Sequence, residues 1–283
     1  MGGNTATNTS AFVPFFVPPP DPNPSYLQVY PIEANFEFDK WRGWMGQNWA
    51  ISLYASLFYL CLIFSGRRWM RHRKPYNLRL PLLIWNFVLA SFSIYGFTRV
   101  FPEIRYLWGI KNGVHTSICF RDAHNMATVF WGWWCTLSKM VELGDTFFIV
   151  LRKQPLIFLH WYHHITVMVY CWFTYEEYDP ALKLFMGMNF FVHGIMYTYY
   201  ALRAAGIKVP RGFAMVITTL QIAQMIAGVA INIHSLRVKL NGGECYRQTR
   251  DISIALAMYF TYFLLFANFF INVYLARSKQ KSS

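Results

Sequence analysis

The chain has 283 residues, of which 26 are Lys or Arg and 13 are Asp or Glu, so its formal net charge is +13 with histidine neutral. Only 14% of the residues are charged and 55% are hydrophobic, whereas soluble domains carry about 25% charged residues. This composition argues against a soluble enzyme. The 26 Phe, 18 Tyr and 11 Trp residues argue equally against a disordered or collagen-like chain. We therefore expect a multi-span membrane protein.

Residues 1–45 form a polar, proline-rich segment that precedes the first long apolar run. It lacks the basic-then-apolar order of a cleavable signal peptide, so membrane insertion is expected to depend on the internal apolar runs. Asn8, in the triplet Asn8-Thr9-Ser10, is a candidate glycosylation site. We interpret 1–45 as an N-terminal segment outside the membrane.

Seven runs are long and apolar enough to cross a bilayer, which requires about 20 mostly apolar residues. The predicted spans are 46–65, 80–101, 126–150, 156–174, 182–201, 212–235 and 252–276. Prolines lie at or near five of the predicted ends. The sequence thus predicts an all-α membrane domain over 46–276 with seven transmembrane helices, followed by a short tail at 277–283.

Basic residues are distributed unevenly between the two sides of this topology. One set of alternate loops, with the tail, carries 14 basic residues and no acidic one, whereas the N-terminal segment and the opposite loops carry 11 of each. The positive-inside rule therefore predicts a lumenal N-terminus and a cytosolic C-terminus. The ending Lys279-Gln280-Lys281-Ser282-Ser283 resembles a dilysine retrieval signal, which predicts the endoplasmic reticulum membrane. A basic flank of the last span is the alternative interpretation.

Polar and ionisable side chains recur at helical spacing inside four of the predicted spans, where such groups are costly and often functional. His160, His163 and His164 share one face of the fourth span because they are three and four residues apart. The other groups are Lys139, Glu142 and Asp145; Asn189, His193, Tyr197 and Tyr200; and Thr218, Gln221 and Gln224. At 1.5 Å per residue these groups lie at similar depth. We expect a buried, water-poor reaction site that opens to the cytosol.

Several of these residues also suit structural roles. Lys139 and Glu142 are expected to form an internal ion pair, and Asp145 is expected to orient an imidazole, since a carboxylate fixes the tautomer of a partner histidine. Interhelical packing or hydrogen bonding is the alternative for Tyr197, Tyr200, Gln221 and Gln224. The remaining histidines lie near predicted loops and are expected to be incidental: His72, His115, His124 and His234.

The His-x-x-His-His pattern at 160–164 suits two kinds of chemistry. Membrane di-iron oxygenases use similar boxes but need more histidines than the predicted spans supply, and a single zinc ion stays a weaker alternative. Without a metal, a histidine here is a general base or a covalent nucleophile for acyl transfer, and Asn189 or Tyr197 is a candidate oxyanion stabiliser. We expect no metal and no resident cofactor. A seven-span lipid receptor or carrier is the non-enzymatic alternative.

Four motifs together resemble the very-long-chain fatty acid elongases (the ELO family), membrane 3-ketoacyl-CoA synthases of the endoplasmic reticulum. They are Lys139-Met-Val-Glu142-Leu143-Gly-Asp145-Thr146, the box at 160–164, the segment 189–200, and Thr218-x-x-Gln221-x-x-Gln224. The resemblance covers roughly 40–276. It implies that the last six spans form a barrel around a narrow substrate tunnel. It also implies condensation of a long-chain acyl-CoA with malonyl-CoA to a 3-ketoacyl-CoA, carbon dioxide and CoA.

The resemblance also implies roles for single residues. His163 would form an acyl-imidazole, His193 and Asn189 would bind and decarboxylate the malonyl unit, and the other two box histidines would orient groups or relay protons. General-base chemistry by the box is the rival mechanism. The order Leu159-His160-Trp161-Tyr162-His163-His164 resembles the subgroup that acts on saturated and monounsaturated chains of about palmitate length. A lumenal disulfide between Cys119 and Cys245 is implied as well.

The predicted ligands are acyl-CoA, malonyl-CoA and the lipid bilayer, and nucleic acid is not expected. Substrate contacts are expected from Lys139, Glu142, Tyr197, Tyr200, Gln221 and Gln224. Candidate ligands of the CoA phosphates are Arg152, Lys153, Arg203, Lys208 and Arg211, although topology alone explains the same charges. Candidate protein partners are a second copy of the chain and the ketoacyl-CoA reductase and dehydratase of the same cycle.

Overall fold

The computed structural model describes residues 17–121 and 124–276, and this part of the chain is helical apart from turns and one isolated β-bridge between Asp21 and Asn125. Its α-helices are α1 (Pro31–Ala34), α2 (Phe38–Asn48), α3 (Ile51–Met70), α4 (Arg79–Trp108), α5 (Gly113–Cys119), α6 (Met126–Val141), α7 (Asp145–Leu151), α8 (Phe158–Thr174), α9 (Leu182–Ala205), α10 (Arg211–Leu240) and α11 (Thr249–Phe270). Asn8 and the basic tail at 277–283 lie outside the described residues. The all-α prediction is confirmed for the described part of the chain.

Within residues 17–121 and 124–276, three helices are long and apolar enough to cross a membrane by themselves: Arg79–Trp108, Arg211–Leu240 and Thr249–Leu275. The last of these is α11 together with the π-helical segment Ile271–Ala276 that continues it. The pair Phe38–Asn48 and Ile51–Met70 makes a fourth if the two helices, bent by 58°, count as one span. Of the other predicted spans, the fifth coincides with α9, which has 24 residues but does not pass the same length-and-composition test, and the third and fourth coincide with helices of 17 residues or fewer. The count of seven spans therefore stays a prediction.

Two predicted spans differ from continuous helices. The third, expected over 126–150, is interrupted by a 3₁₀ turn at Glu142–Gly144 between α6 and α7. The first span, expected over 46–65, begins in the last three residues of α2 and continues in α3. Because α2 is polar on average, only α3 has the apolar character of a membrane span. Met45 and Tyr59 are buried in the same core cluster, so both halves of the bent pair pack against the bundle.

Close packing of α4 against α9 depends on small residues. A Cβ atom added at Gly187 would lie 2.7 Å from Ile104, and one added at Gly194 would lie 3.0 Å from Ile94. Both distances are shorter than a comfortable carbon–carbon contact of about 3.5–4.0 Å. These glycines let the backbones of the two helices approach each other, as small residues do between membrane helices.

The start of α4 also caps the end of α9. Arg79 donates hydrogen bonds to the carbonyl oxygens of Ala204 at 2.7 Å and Ala205 at 2.8 Å. Helix C-termini leave carbonyls without intrahelical donors, so this guanidinium satisfies two of them. Gly206 then ends the helix with a φ of 89°, a left-handed conformation that glycine adopts without strain.

Buried charges at one end of the bundle are paired. Arg99 Nη2 lies 2.7 Å from Glu33 Oε2, and both side chains are almost inaccessible to solvent. The other buried pairs there are Glu103–Lys183 at 3.1 Å and Asp179–Arg247 at 2.8 Å. A buried charge is tolerated when it is paired and hydrogen-bonded. These pairs attach the N-terminal segment and the loop after α10 to the helices.

A disulfide joins Cys119, the last residue of α5, to Cys245 in the loop between α10 and α11. The family resemblance implies this pairing. We refer to the surrounding part of the bundle as the disulfide end.

Candidate active site

The three histidines of the box lie together on α8. The ring centroids of His160 and His164 are 4.5 Å apart, and those of His163 and His164 are 5.7 Å apart. His164 is buried, whereas the other two are partly buried. The helical face that the spacing predicts is therefore present.

A hydroxyl chain fixes the first ring. Nε2 of His160 lies 2.9 Å from Oγ1 of Thr146 on α7, and the same oxygen lies 2.6 Å from the Tyr59 hydroxyl on α3. Three helices thus meet at one imidazole. Neither Thr146 nor Tyr59 is among the site residues that the sequence predicts, although Thr146 belongs to the motif that begins at Lys139.

A second polar cluster joins α6 to α9. Lys139 Nζ donates hydrogen bonds to Glu142 Oε1 and to Asn189 Oδ1, both at 2.7 Å. Ser138 Oγ donates to the same glutamate oxygen at 2.9 Å. Both charged side chains are buried, so the predicted internal ion pair is confirmed, and it also holds Asn189.

The other oxygen of Glu142 faces a histidine. Oε2 is buried without a hydrogen-bond partner among the described residues, and Nδ1 of His193 lies 3.8 Å from it. Only a small movement separates this contact from a hydrogen bond, whose length is about 2.9 Å. Glu142 is therefore the carboxylate that faces an imidazole in this site.

Asp145 was expected to orient an imidazole, and that prediction is wrong. Its two oxygens accept hydrogen bonds from Trp85 Nε1 at 2.6 Å and from the Tyr197 hydroxyl at 2.8 Å. The three-residue spacing along one helix does not determine which neighbouring helices reach a carboxylate, and here α4 and α9 reach Asp145. Asp145 links α7 to α4 and α9 instead.

His163 lies beside α11. Its ring centroid is 5.0 Å from that of Tyr262 and 6.5 Å from that of Phe266. α6 packs against α8, which carries the box, and also against α9. The box and the second cluster therefore lie on helices that pack together.

Comparison with known proteins shows the family of the chain. The profile described as "ELO: GNS1/SUR4 family" matches residues 44–282. The chain belongs to this family. It is similar to "Very long chain fatty acid elongase 6" of Drosophila melanogaster, with 46% identity over 263 residues, 92% of this chain and 83% of that protein. It is also similar to "Very long chain fatty acid elongase 3" of Homo sapiens, with 44% identity over 259 residues, 88% of this chain and 93% of that protein.

A third relative is "Putative fatty acid elongase 3" of Caenorhabditis elegans, which is 45% identical over 266 residues. That match covers 92% of this chain and 83% of the relative. Membership of the ELO family connects the chain with fatty acid elongation in a membrane.

The remaining predicted site residues of this ELO protein are more dispersed. Tyr197 is buried, but Tyr200 is 46% exposed beside Tyr199. Gln221 donates to the sulfur of Met196 at 3.4 Å, an interhelical contact between α10 and α9, and Gln224 is partly buried on the same helix. Tyr200 is thus separated from the buried polar cluster.

The predicted CoA-binding residues differ in their surroundings. Lys153 donates to the carbonyl oxygens of Arg71 and Arg73, and Arg211 donates to that of Val273. Arg203 and Lys208 are exposed near the end of α9, and Arg152 is partly buried after α7. Lys153 and Arg211 therefore have structural contacts in addition to any contact with phosphate.

Proposed function

We propose that this ELO protein condenses a long-chain acyl-CoA with malonyl-CoA, giving a 3-ketoacyl-CoA, carbon dioxide and CoA. The observation that carries the proposal is that the histidine box on α8 and the buried Lys139–Glu142–Asn189–His193 cluster lie on helices that pack together, since α6 contacts both α8 and α9. The names of the similar proteins support elongation as the overall process.

In the proposed mechanism, a ring nitrogen of His163 attacks the thioester carbon of the acyl-CoA. The carbon–sulfur bond breaks, the acyl group becomes bound to the imidazole, and CoA leaves as a thiol with the imidazole proton. Burial of the ring protects this activated acyl group from hydrolysis. His160 and His164 lie on the same face of α8 as His163, and they orient its ring or relay the proton.

The second half-reaction uses the other cluster. Malonyl-CoA loses carbon dioxide, and the resulting enolate attacks the acyl carbon. The bond between the acyl carbon and His163 breaks, and the imidazole takes up one proton from the solvent, which restores the neutral ring. His193 and the amide of Asn189 lie where they can hold the malonyl carbonyl groups and stabilise the enolate oxygen. Lys139 and Glu142 orient these two residues through the contacts described above.

The proposal includes the membrane arrangement of the family: seven spans, the last six around a narrow tunnel, in the endoplasmic reticulum with a lumenal N-terminus. The uneven distribution of basic residues supports this orientation. The proposed acyl group is a saturated or monounsaturated chain of about palmitate length. This choice rests on the resemblance of the segment Leu159–His164 to the subgroup that acts on such chains. CoA would meet the basic residues at the cytosolic mouth.

Metal chemistry at the box is the weaker alternative. Among the described residues, one group of potential metal ligands has its ligand atoms within 4.8 Å of one another. It consists of His115, Cys119 and His234, and it does not include the histidines of the box. The contacts of His160 with Thr146 and of His193 with Glu142 suit proton transfer and acyl transfer. This geometry favours acyl chemistry at the box.

The experiment is a condensation assay with purified protein, palmitoyl-CoA and labelled malonyl-CoA. Wild type should form the 3-keto product, and His163→Ala should form none. His72→Ala, which changes an exposed histidine outside the site, should match wild type. Incubation with palmitoyl-CoA alone should add one acyl mass to the peptide that contains 160–164. Absence of product from folded wild type contradicts the condensation, whereas product without the adduct supports general-base chemistry instead.

A further inference from the structure

Two histidines that are distant in the sequence meet at the disulfide end. Nδ1 of His115 on α5 lies 3.0 Å from Nε2 of His234 on α10. Ligand atoms of these histidines and the sulfur of Cys119 all lie within 4.8 Å of one another. Cys245, bonded to that sulfur, brings a fourth donor to the same place. Two imidazoles and two sulfurs form the Cys₂His₂ set that binds structural zinc.

We propose that His115, His234, Cys119 and Cys245 bind one Zn²⁺ ion when the disulfide is reduced. The site is independent of the proposed condensation chemistry. With the disulfide intact, the two imidazoles are the strong donors, and zinc in structural sites requires four ligands. Reduction supplies the two missing thiolates, so the same four residues form a disulfide in one state and a zinc site in the other.

The distances suit a tetrahedral ion. With bonds of about 2.0 Å to nitrogen and 2.3 Å to sulfur, ligand atoms are separated by about 3.3 Å for two nitrogens and about 3.6 Å for nitrogen and sulfur. The present nitrogen–nitrogen distance is 3.0 Å. The rings would move by a few tenths of an ångström as the metal replaces the hydrogen bond between them.

Contacts other than the disulfide keep the four residues together. Tyr246 N donates to the carbonyl oxygen of Cys119 at 2.9 Å. Arg247, fully buried, donates to Asp179 at 2.8 Å and to Ser235 Oγ at 2.9 Å, which fixes the loop to α10 beside His234. His115 and Cys119 are four residues apart on α5 and so share one face. Reduction therefore leaves the four residues close together, and the two sulfurs then separate from bonding distance to about 3.8 Å to ligate one ion.

The chemistry balances with a dithiol as reductant. Two electrons and two protons pass to the sulfurs of Cys119 and Cys245, and the dithiol becomes a disulfide. Zn²⁺ then displaces the two thiol protons into water, because only thiolates ligate the metal. Two thiolates neutralise the charge of the ion, which suits a partly buried site.

The test uses the full chain in detergent without a polyhistidine tag, reduced with a phosphine that is then removed. After gel filtration, reduced wild type should retain one zinc per chain and the oxidised protein none. Co²⁺ in place of zinc should give a thiolate charge-transfer band only in the reduced chain. Bound zinc should also protect Cys119 and Cys245 from alkylation.

Variants separate this site from metal bound elsewhere. The double variant His115→Ala/His234→Ala should lose stoichiometric zinc, and the control His72→Ala should keep it. Circular dichroism of the reduced wild type checks that the chain stays helical. The proposal is overturned if reduced wild type unfolds or retains no zinc, if the double histidine variant retains the metal, or if the oxidised chain binds as much zinc as the reduced one.

Discussion

Oγ1 of Thr146 lies 2.9 Å from Nε2 of His160, so a threonine on α7 fixes the first ring of the histidine box on α8. The Tyr59 hydroxyl, 2.6 Å from the same oxygen, completes a chain that begins on α3. Thr146 touches no reacting atom in the proposed mechanism and is therefore a positioning residue.

Replacing Thr146 with Val should lower kcat for condensation and leave KM nearly unchanged. The variant keeps the side-chain volume but loses the contacts of Oγ1 with both His160 and Tyr59. The contact with His160, worth about 1 kcal/mol, corresponds to a rate decrease of about fivefold. Thr146→Ser retains the hydroxyl and should recover the rate. Steady-state kinetics of both variants measure kcat and KM separately. An unchanged kcat in Thr146→Val would show that the function of His160 does not depend on this contact.

The Lys139–Glu142 ion pair permits a double-mutant test of stability. Lys139→Met or Glu142→Leu alone leaves one buried charge unpaired and should lower the free energy of unfolding by about 3–5 kcal/mol. The double variant Lys139→Met/Glu142→Leu removes both charges and should cost less than the sum of two single variants. Thermal unfolding in detergent measures the three values. Additive losses would indicate that the two side chains do not interact.

Asp145 provides a third test, because it accepts hydrogen bonds from Trp85 and Tyr197. Asp145→Asn replaces one acceptor oxygen with a donor, so at least one of these bonds is lost. We expect a decrease in unfolding free energy of about 1–3 kcal/mol. Tyr197→Phe removes only one bond and should cost about 1 kcal/mol. A larger loss in Tyr197→Phe than in Asp145→Asn would contradict this account.

Contacts between residues that are close in the sequence could be predicted, whereas contacts between residues that are distant in the sequence could not. The box histidines share a face because local helix geometry alone decides it, and the ion pair of Lys139 with Glu142 is equally local. Asp145 finds Trp85, 60 residues away, and no periodicity within one span predicts such a partner. His115 and His234 are 119 residues apart, so the sequence alone does not predict that they meet, and each is interpreted from it as an incidental loop histidine.

His124 makes stability depend on pH. The side chain is 5% exposed, and burial, with a smaller effect from Lys183, lowers its pKa from 6.5 to about 4. The unfolded chain therefore binds a proton that the folded chain does not, and stability falls as the pH decreases from 6.5 towards 4. Between pH 7 and 5.5 this contribution is about 1 kcal/mol. His124→Gln should remove it, whereas His72→Gln should not. Equal pH dependence in wild type and His124→Gln would contradict the prediction.

Arg203 and Lys208 test the proposed path of CoA. Both are exposed at the end of α9, the helix that carries His193, whereas Lys153 and Arg211 also hold backbone carbonyls. The double variant Arg203→Ala/Lys208→Ala should therefore raise KM for the CoA substrates several-fold and change kcat little, since charge-assisted contacts to phosphate contribute to binding. Raising the ionic strength should reduce the difference from wild type because salt screens exposed charges. The matched control is Lys239→Ala at the opposite end of α10, which should keep the wild-type KM. A KM that stays constant in Arg203→Ala/Lys208→Ala, or that rises equally in the control, would place the CoA phosphates elsewhere on the protein.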